Sequence, residues 1–359
     1  MTIAFSGPAP AAPRSSPWRQ WRQGLFGSPA NILITLGFAA FVALVVLPFL
    51  RWAVIDATWT GTAQDCAART GACWAFIGEK TRFILFGLYP NDRDWQAATA
   101  VFLLIGLVVA TGIPRLWGRW LALAWPVTLG AAIAILSGAL TGIWVATDKW
   151  GGFPVTALLS VVGFAAAFPI GIGLALARRS SMKLIQLLAV GFIETMRGVP
   201  LIAVLYVSTL LLPLMLPAGF SIDKLLRAQI AIVLFVSAYM AEIVRAGLQA
   251  VPSGQYEASR SLGLSWGTTM RRVVLPQALR AVIPAFVSLA IGLFLDTTLV
   301  IVIGLFDFLN TARVSATDPN WIGFYNEAYA FAAAIYFALS YAASRYSLWL
   351  ERHLRAVST

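Results

Sequence analysis

The stretch QYEASRSLGLSWGTTMRRVVLPQALR, Gln255 to Arg280, is a polar segment set between two long apolar runs. Lipid gives no reason to gather Glu257, Arg260, Arg271, Arg272 and Arg280 in one loop, so a soluble partner is expected to meet it. Pro252, Ser253 and Gly254 predict a turn with Ser253 as a helix N-cap, and Tyr256 or Leu262 then supplies an apolar contact. A break at Gly263 and a second helix through Val273, Leu275 and Pro276 lead back to the membrane. By composition alone this is an amphipathic surface helix. A lever that transmits motion would need the same features: a short projecting helix, an apolar face that docks, and a glycine where the chain turns sharply.

The rest of the chain is built for lipid. Of 359 residues, 59% are hydrophobic and 11% charged, and the mean hydropathy is +0.79. An all-α polytopic membrane protein is predicted, since several runs supply the ~20 apolar residues that cross ~30 Å of hydrocarbon. About eight transmembrane helices are read, near residues 31–50, 96–113, 120–146, 153–177, 184–216, 225–244, 281–305 and 325–344. The fifth run is long enough to hold a break at Gly198, Pro200 or Pro213.

Positive charge sets the expected orientation. Of the 26 Lys and Arg, sixteen fall on the side of the N-terminus, nine on the other side, and Arg197 lies within a span. The acids divide oppositely: Glu257 and Glu351 share the N-terminal side, ten lie across, and Glu194, Glu242 and Asp296 lie at membrane depth. Both termini are therefore expected in the cytoplasm. Residues 1–30 read as a flexible cytoplasmic tail, and 349–359 as a cytoplasmic C-terminal tail. No small-residue cleavage site follows the first apolar run, which is expected to remain as an anchor.

Several function classes are disfavoured. The +11 net charge is spread over separate inner-face segments, so it does not indicate nucleic-acid binding. The two cysteines, Cys66 and Cys73, and one histidine, His353, do not suffice for a Cys/His metal site or a Ser-His-Asp triad, so no metal and no catalytic residue is expected. Cys66 and Cys73 lie in an outer loop at 51–95, either bridged or as free thiols. No Gly-Lys-Ser/Thr phosphate loop is found, and GIGLALA at Gly171 to Ala177 reads as small-residue helix packing. The chain is expected to bind no cofactor of its own.

Glu257-Ala258-Ser259, with Gly263 and then Leu275-Pro276, resembles the EAA loop of bacterial ABC-transporter membrane subunits. AYMAEIVRAGLQAVPSGQYEASRSLGL through VVLPQALRAVIPAF, with ETMRGVPLI at Glu194 to Ile202 and DTTLVIVIGLFDFL at Asp296 to Leu309, is similar to the polar amino-acid uptake branch. GACWAFIGEKTRFILFGLYP, WGGFP at Trp150 to Pro154 and SRYSLWLERHLR resemble the M-type permease of general L-amino-acid transporters. Two positions depart from the pattern. Ser259 stands where the loop usually has Ala, and Leu295 where the branch usually has Lys before Asp-Thr.

The resemblance implies a type I ABC importer permease core at 147–348, with its coupling loop at 245–280, preceded at 31–146 by three extra spans. It implies a permease subunit without a nucleotide site, in the bacterial inner membrane. The implied partners are a homologous second permease, two cytoplasmic ATPase subunits that hold ATP and Mg, and a periplasmic amino-acid-binding protein. Glu257, Ala258, Ser259, Gly263, Leu275 and Pro276 would form the contact with the ATPase.

Ionisable groups at membrane depth are costly and are usually functional or paired. Asp296, with Thr297 and Thr298, is the leading candidate to line a path for an amino acid. Glu194 with Arg197, and Glu242 with Arg245, are spaced to pair along one helix face and can equally clamp helices or gate the path. A secondary transporter would show inverted repeats and would not need the Glu-Ala-Ser loop; a membrane enzyme would need a catalytic constellation, which is not found.

Overall fold

The computed structural model describes residues 17–217, 219 and 221–357, and among them the chain is helical. Its contacts define two compact units, Met1–Ala75 and Phe76–Thr359. This division falls within the 31–146 stretch that the sequence suggests as one block.

In the first unit, α1 (Pro17–Phe26) is followed by α2 (Pro29–Ile55), whose apolar window has none of its residues buried. Ser28 caps α2 by accepting the N–H of Asn31 at 3.1 Å, and Pro29 occupies the first turn, where its missing N–H costs nothing. Residues 17–26 thus form a helix where a flexible tail was expected: Trp18, Trp21 and Leu25 recur at helical spacing. Residues 1–16 lie outside the described ones. The segment after α2 is also more ordered than a loop. Thr62 and Asp65 form a reciprocal capping box at the start of α3 (Ala63–Ala67). Those bonds from Thr62 hold the Asp65 carboxyl below the usual carboxylate range.

A disulfide joins Cys66 to Cys73 with their Cα atoms 5.5 Å apart. Gly71 packs against the backbone of Asp56 and Ala57, where a Cβ would lie 1.9 Å from the Asp56 carbonyl oxygen. Closing so short a loop contributes roughly 2.5 kcal/mol by the chain-entropy relation. Arg69 is exposed between the two cysteines. Trypsin cleavage after Arg69 is therefore expected to leave one band on a non-reducing gel and two bands after reduction; two bands without reductant would mean free thiols.

The chain passes from the first unit to the second within α4 (Trp74–Phe86), and α5 (Asn91–Gly112), α6 (Arg119–Leu136) and α7 (Gly152–Ala177) follow. The third run ends at Leu136, ten residues before the expected Ala146. Gly138 and Gly142 adopt φ of +74° there, a left-handed conformation that turns the chain out of the helix. The fifth run is broken as its Gly-Pro content predicts: α8 (Lys183–Gly198) and α9 (Leu201–Met215) meet at 105° across Val199 and Pro200. Pro213 follows a π-helical turn at Val207–Leu211, which accommodates its missing donor.

Next come α10 (Lys224–Ala250) and α11 (Ser253–Ser261), then α12 at 266–281. The chain closes with α13 (Ile283–Ile303), α14 (Phe308–Ser315) and α15 (Tyr325–Val357). Six described helices are long and apolar enough to cross a membrane, and the bent α8–α9 pair makes a seventh. The eighth expected span, α15, has 33 residues and ample length. Its Asn326, Glu327, Ser340 and five tyrosines leave it less apolar than the others.

The core lies between α7 and α10, whose apolar windows are 50% and 56% buried, against 11% for α6. Gly171 allows this approach, since a Cβ there would sit 2.8 Å from Cβ of Met240. At the far end of α7, the Gly152 N–H donates to the Phe306 carbonyl at 2.8 Å. Asp307 is completely buried and caps α14, accepting the N–H groups of Leu309 at 3.0 Å and Asn310 at 3.2 Å. Burial pushes its carboxyl up to about 7, against the opposing effect of those two N–H groups.

The folded state therefore retains a proton that the unfolded chain releases near 3.8. A raised acid destabilises as it ionises, so stability should fall as pH rises from about 4 to about 7 and then level off. In Asp307→Asn, the decline in unfolding temperature between pH 5 and pH 8 is expected to be shallower than in the wild type; equal slopes would rule out Asp307 as its source.

Candidate functional site: a projecting loop and a charged cluster

The 245–280 segment is a helical hairpin. Its first helix, α11, begins after Pro252, which takes the extended N-cap conformation, so Ser253 is the first helical residue rather than the cap. The proline ring already fixes the φ that this position uses. At the other end the N–H of Leu264 donates to the Ser259 carbonyl at 3.0 Å, and that of Gly263 to Arg260 at 2.9 Å. This crossed pair is a Schellman motif, and Gly263, at φ +70°, is its left-handed residue. A Cβ on Gly263 would meet nothing within 4 Å, so the backbone angle, and not crowding within the chain, calls for glycine.

Ser265 then caps α12. A π-helical turn at Met270–Val274 precedes Leu275-Pro276, and the wider turn accommodates a residue that cannot donate. The hairpin is fixed to the spans on one side. Ser259, Thr269, Val274 and Ala278 are buried, Leu275 is half-buried, and the Tyr256 hydroxyl donates to the Leu248 carbonyl at 3.3 Å. The Ser259 hydroxyl donates to the Gln255 carbonyl at 2.7 Å. The serine that departs from the family's alanine thus turns inward, its hydroxyl satisfied by its own helix. Glu257, Ala258, Gly263 and Pro276 are exposed. So are two bulky apolar side chains, Leu262 at 77% and Trp266 at 66%.

Three arginines converge on Glu242. Its Oε1 lies 2.5 Å from Nη1 of Arg178, and its Oε2 lies 2.9 Å from Nε of Arg245 and 3.7 Å from Nη1 of Arg197. Arg178 also reaches Glu194 at 3.1 Å. The expected Glu242–Arg245 pair is present. Glu194 and Arg197, expected to pair together, instead take the separate partners Arg178 and Glu242. Arg178 is not among the residues singled out from the sequence; its place at the C-terminus of α7, where a cation is favoured, is the available signal. Three guanidiniums face two carboxylates, and a cleft beside them is lined by Arg197, Tyr239, Glu242, Arg245, Val282 and Leu289.

Asp296 stands apart from this cluster. It is seven residues beyond Leu289 on α13, or about 10 Å along the axis. Thr297 is buried with its hydroxyl donating to the Phe294 carbonyl at 2.8 Å, and Thr298 bonds to Leu295 in the same way. Here α13 tightens into a 3-10 turn at Thr297–Ile303. Asp296 is half-buried and has no ion pair among the described residues, while Leu295 is 42% exposed. The path candidates thus occupy two levels of the molecule rather than one site.

Residues 167–356, from α7 through α15, match the family of binding-protein-dependent transport system inner membrane components. The chain belongs to this family. It is an ABC-transporter permease and a multi-pass membrane protein.

The first relative is similar along its whole length. The inner membrane amino-acid ABC transporter permease protein YhdY of Escherichia coli (strain K12) is 44% identical over 361 residues, covering 98% of this chain and 97% of the relative. The glutamate/glutamine/aspartate/asparagine transport system permease protein BztC of Rhodobacter capsulatus is 36% identical, covering 96% of each chain. Among solved structures, a chain in a crystal structure of an amino-acid ABC transporter with histidines is 34% identical. That match has a TM-score of 0.50 and covers 56% of this permease and 92% of that chain. The structural likeness therefore concerns a little over half of this chain, whereas the two curated relatives align along nearly all of it.

Proposed function

We propose that this permease forms, with a homologous second permease, the translocation path of an ATP-driven importer of L-amino acids. The observation that carries the reading is the hairpin of α11 and α12, which exposes Leu262 and Trp266 beside Glu257. Bulky apolar side chains on a polar projection are the signature of a covered surface. In this reading two cytoplasmic ATPase subunits, which hold ATP and Mg, receive that surface, and both termini of the permease lie in the cytoplasm. A periplasmic binding protein delivers substrate to the opposite face, and the core spans 147–348.

Movement of the hairpin would reach the spans by two routes. One is direct, since α12 runs into α13 through Val282. The other is lateral: Gly247 of α10 lies so close to α12 that a Cβ would be 2.6 Å from the Ala278 carbonyl oxygen. The cluster at Glu242 joins α7, α8 and α10 at the same end and would make and break as the path opens. A free amino acid carries an ammonium and a carboxylate. Asp296 suits the first, and the cationic excess around Arg197 suits the second.

The test is to purify the tagged permease after expression with its neighbouring genes and to measure co-purifying chains and ATP hydrolysis. A homologous permease and an ATPase in stoichiometric amounts are expected, with hydrolysis stimulated by a loaded binding protein. A chain that purifies alone and supports uptake on an ion gradient would overturn the proposal.

A further inference from the structure

The helix α1 has an apolar face that no described residue of its unit covers. Trp18 and Trp21 are 78% and 69% exposed, and Leu25 and Phe26 are exposed beside them. Trp18, Trp21 and Leu25 fall within about 60° of one another on a helical wheel of 3.6 residues per turn. Arg19 and Arg22 project on the flank of that face, and a shallow groove is lined by Trp18, Trp21, Arg22, Leu25 and Phe26. No Asp or Glu occurs in the sequence before Asp56.

The position of α1 is fixed by its junction with the first span. Only Gly27 and Ser28 separate it from α2. Across that junction, Nδ2 of Asn31 donates to the Gly24 carbonyl at 3.0 Å and Oγ1 of Thr35 donates to the Leu25 carbonyl at 2.8 Å. These bonds satisfy carbonyls that the end of α1 leaves free and set α1 beside the first turns of α2. A helix held at the mouth of a lipid-exposed span lies at headgroup level, which is where tryptophan side chains are favoured.

We infer that α1 is an interfacial helix that docks on the lipid surface, with Trp18, Trp21 and Leu25 in the acyl boundary and Arg19 and Arg22 on anionic headgroups. Lipid fits better than a protein partner because continuity with the span supplies the membrane at this height, and an all-cationic flank complements anionic lipid. The contact would set the level of α2 in the bilayer.

The experiment uses the full-length chain in proteoliposomes, with single cysteines for spin labelling at Trp21, Gln23 and Leu25. The natural cysteines are disulfide-bonded and take no label. Vesicles are made of phosphatidylcholine alone or with one quarter phosphatidylglycerol, and collisions with oxygen and with a water-soluble nickel complex are compared. Labels at 21 and 25 are expected to favour oxygen and the label at 23 nickel, with phosphatidylglycerol moving 21 and 25 deeper. In Arg19→Gln/Arg22→Gln the phosphatidylglycerol effect should vanish while the alternation persists. Equal nickel access at all three positions would place α1 in water, and protection from both reagents would place it under a protein. Either result overturns the inference, as would a depth that does not respond to the anionic lipid.

Discussion

Gly263→Val is expected to leave the permease inserted and assembled with its partners but to abolish uptake, with ATP hydrolysis no longer stimulated by the loaded binding protein. The reason lies in the backbone. Gly263 sits at φ +70° as the left-handed residue of the motif that closes α11. A β-branched residue held there costs on the order of 1–3 kcal/mol. The strain would be relieved by unwinding the last turn of α11, beside which the buried Ser259 and the Tyr256 bond to Leu248 hold the helix against the spans. Leu262 and Trp266, on either side of the turn, would then lose their fixed relation. Gly263→Asn is the control, because asparagine tolerates the left-handed region. It should retain most of the activity. If valine transports normally, the hairpin is not the lever proposed above. If asparagine fails as badly as valine, the requirement for glycine comes from a partner surface pressing on the turn, since this chain leaves space for a Cβ.

What the sequence made legible follows from which forces act locally. Spans are long apolar runs, so seven of the eight expected crossings recur as helices or a bent pair, including the break at Val199–Pro200. Helix ends are set by single backbone angles, and there the reading erred: Gly138 ends α6 ten residues early, and Pro252 caps α11 in place of Ser253. The helix at 17–26 was hidden by its proline-rich surroundings, although its Trp and Leu spacing was visible. Partners of charged groups were the least legible. Spacing along one helix correctly joined Glu242 to Arg245, but it joined Glu194 to Arg197 where Arg178 from another helix is the partner. Arg178 and the buried Asp307 acquire their settings only through tertiary packing, which no local pattern encodes.

Glu242→Gln is expected to lower the unfolding temperature of the solubilised complex and to reduce uptake at least tenfold. Glutamine keeps the shape and one acceptor oxygen, so the change is almost purely one of charge. The Glu242 side chain is only 16% exposed, and without its charge Arg178, Arg197 and Arg245 share the single carboxylate of Glu194, which contacts Arg178 alone. Breaking a buried ion pair on one side costs about 3–5 kcal/mol, and the partial exposure of these arginines places this case at or below the lower end. If repulsion among the arginines is the cause, removing one should help: Glu242→Gln/Arg245→Met should recover part of the lost stability, a coupling that a double-mutant cycle measures directly. Recovery of stability without recovery of uptake would identify the carboxylate as part of the moving gate. Recovery of both would make the cluster a helix clamp alone. An unchanged Glu242→Gln protein would reduce its three contacts to solvent-screened surface pairs, whose usual worth is about 0–1 kcal/mol.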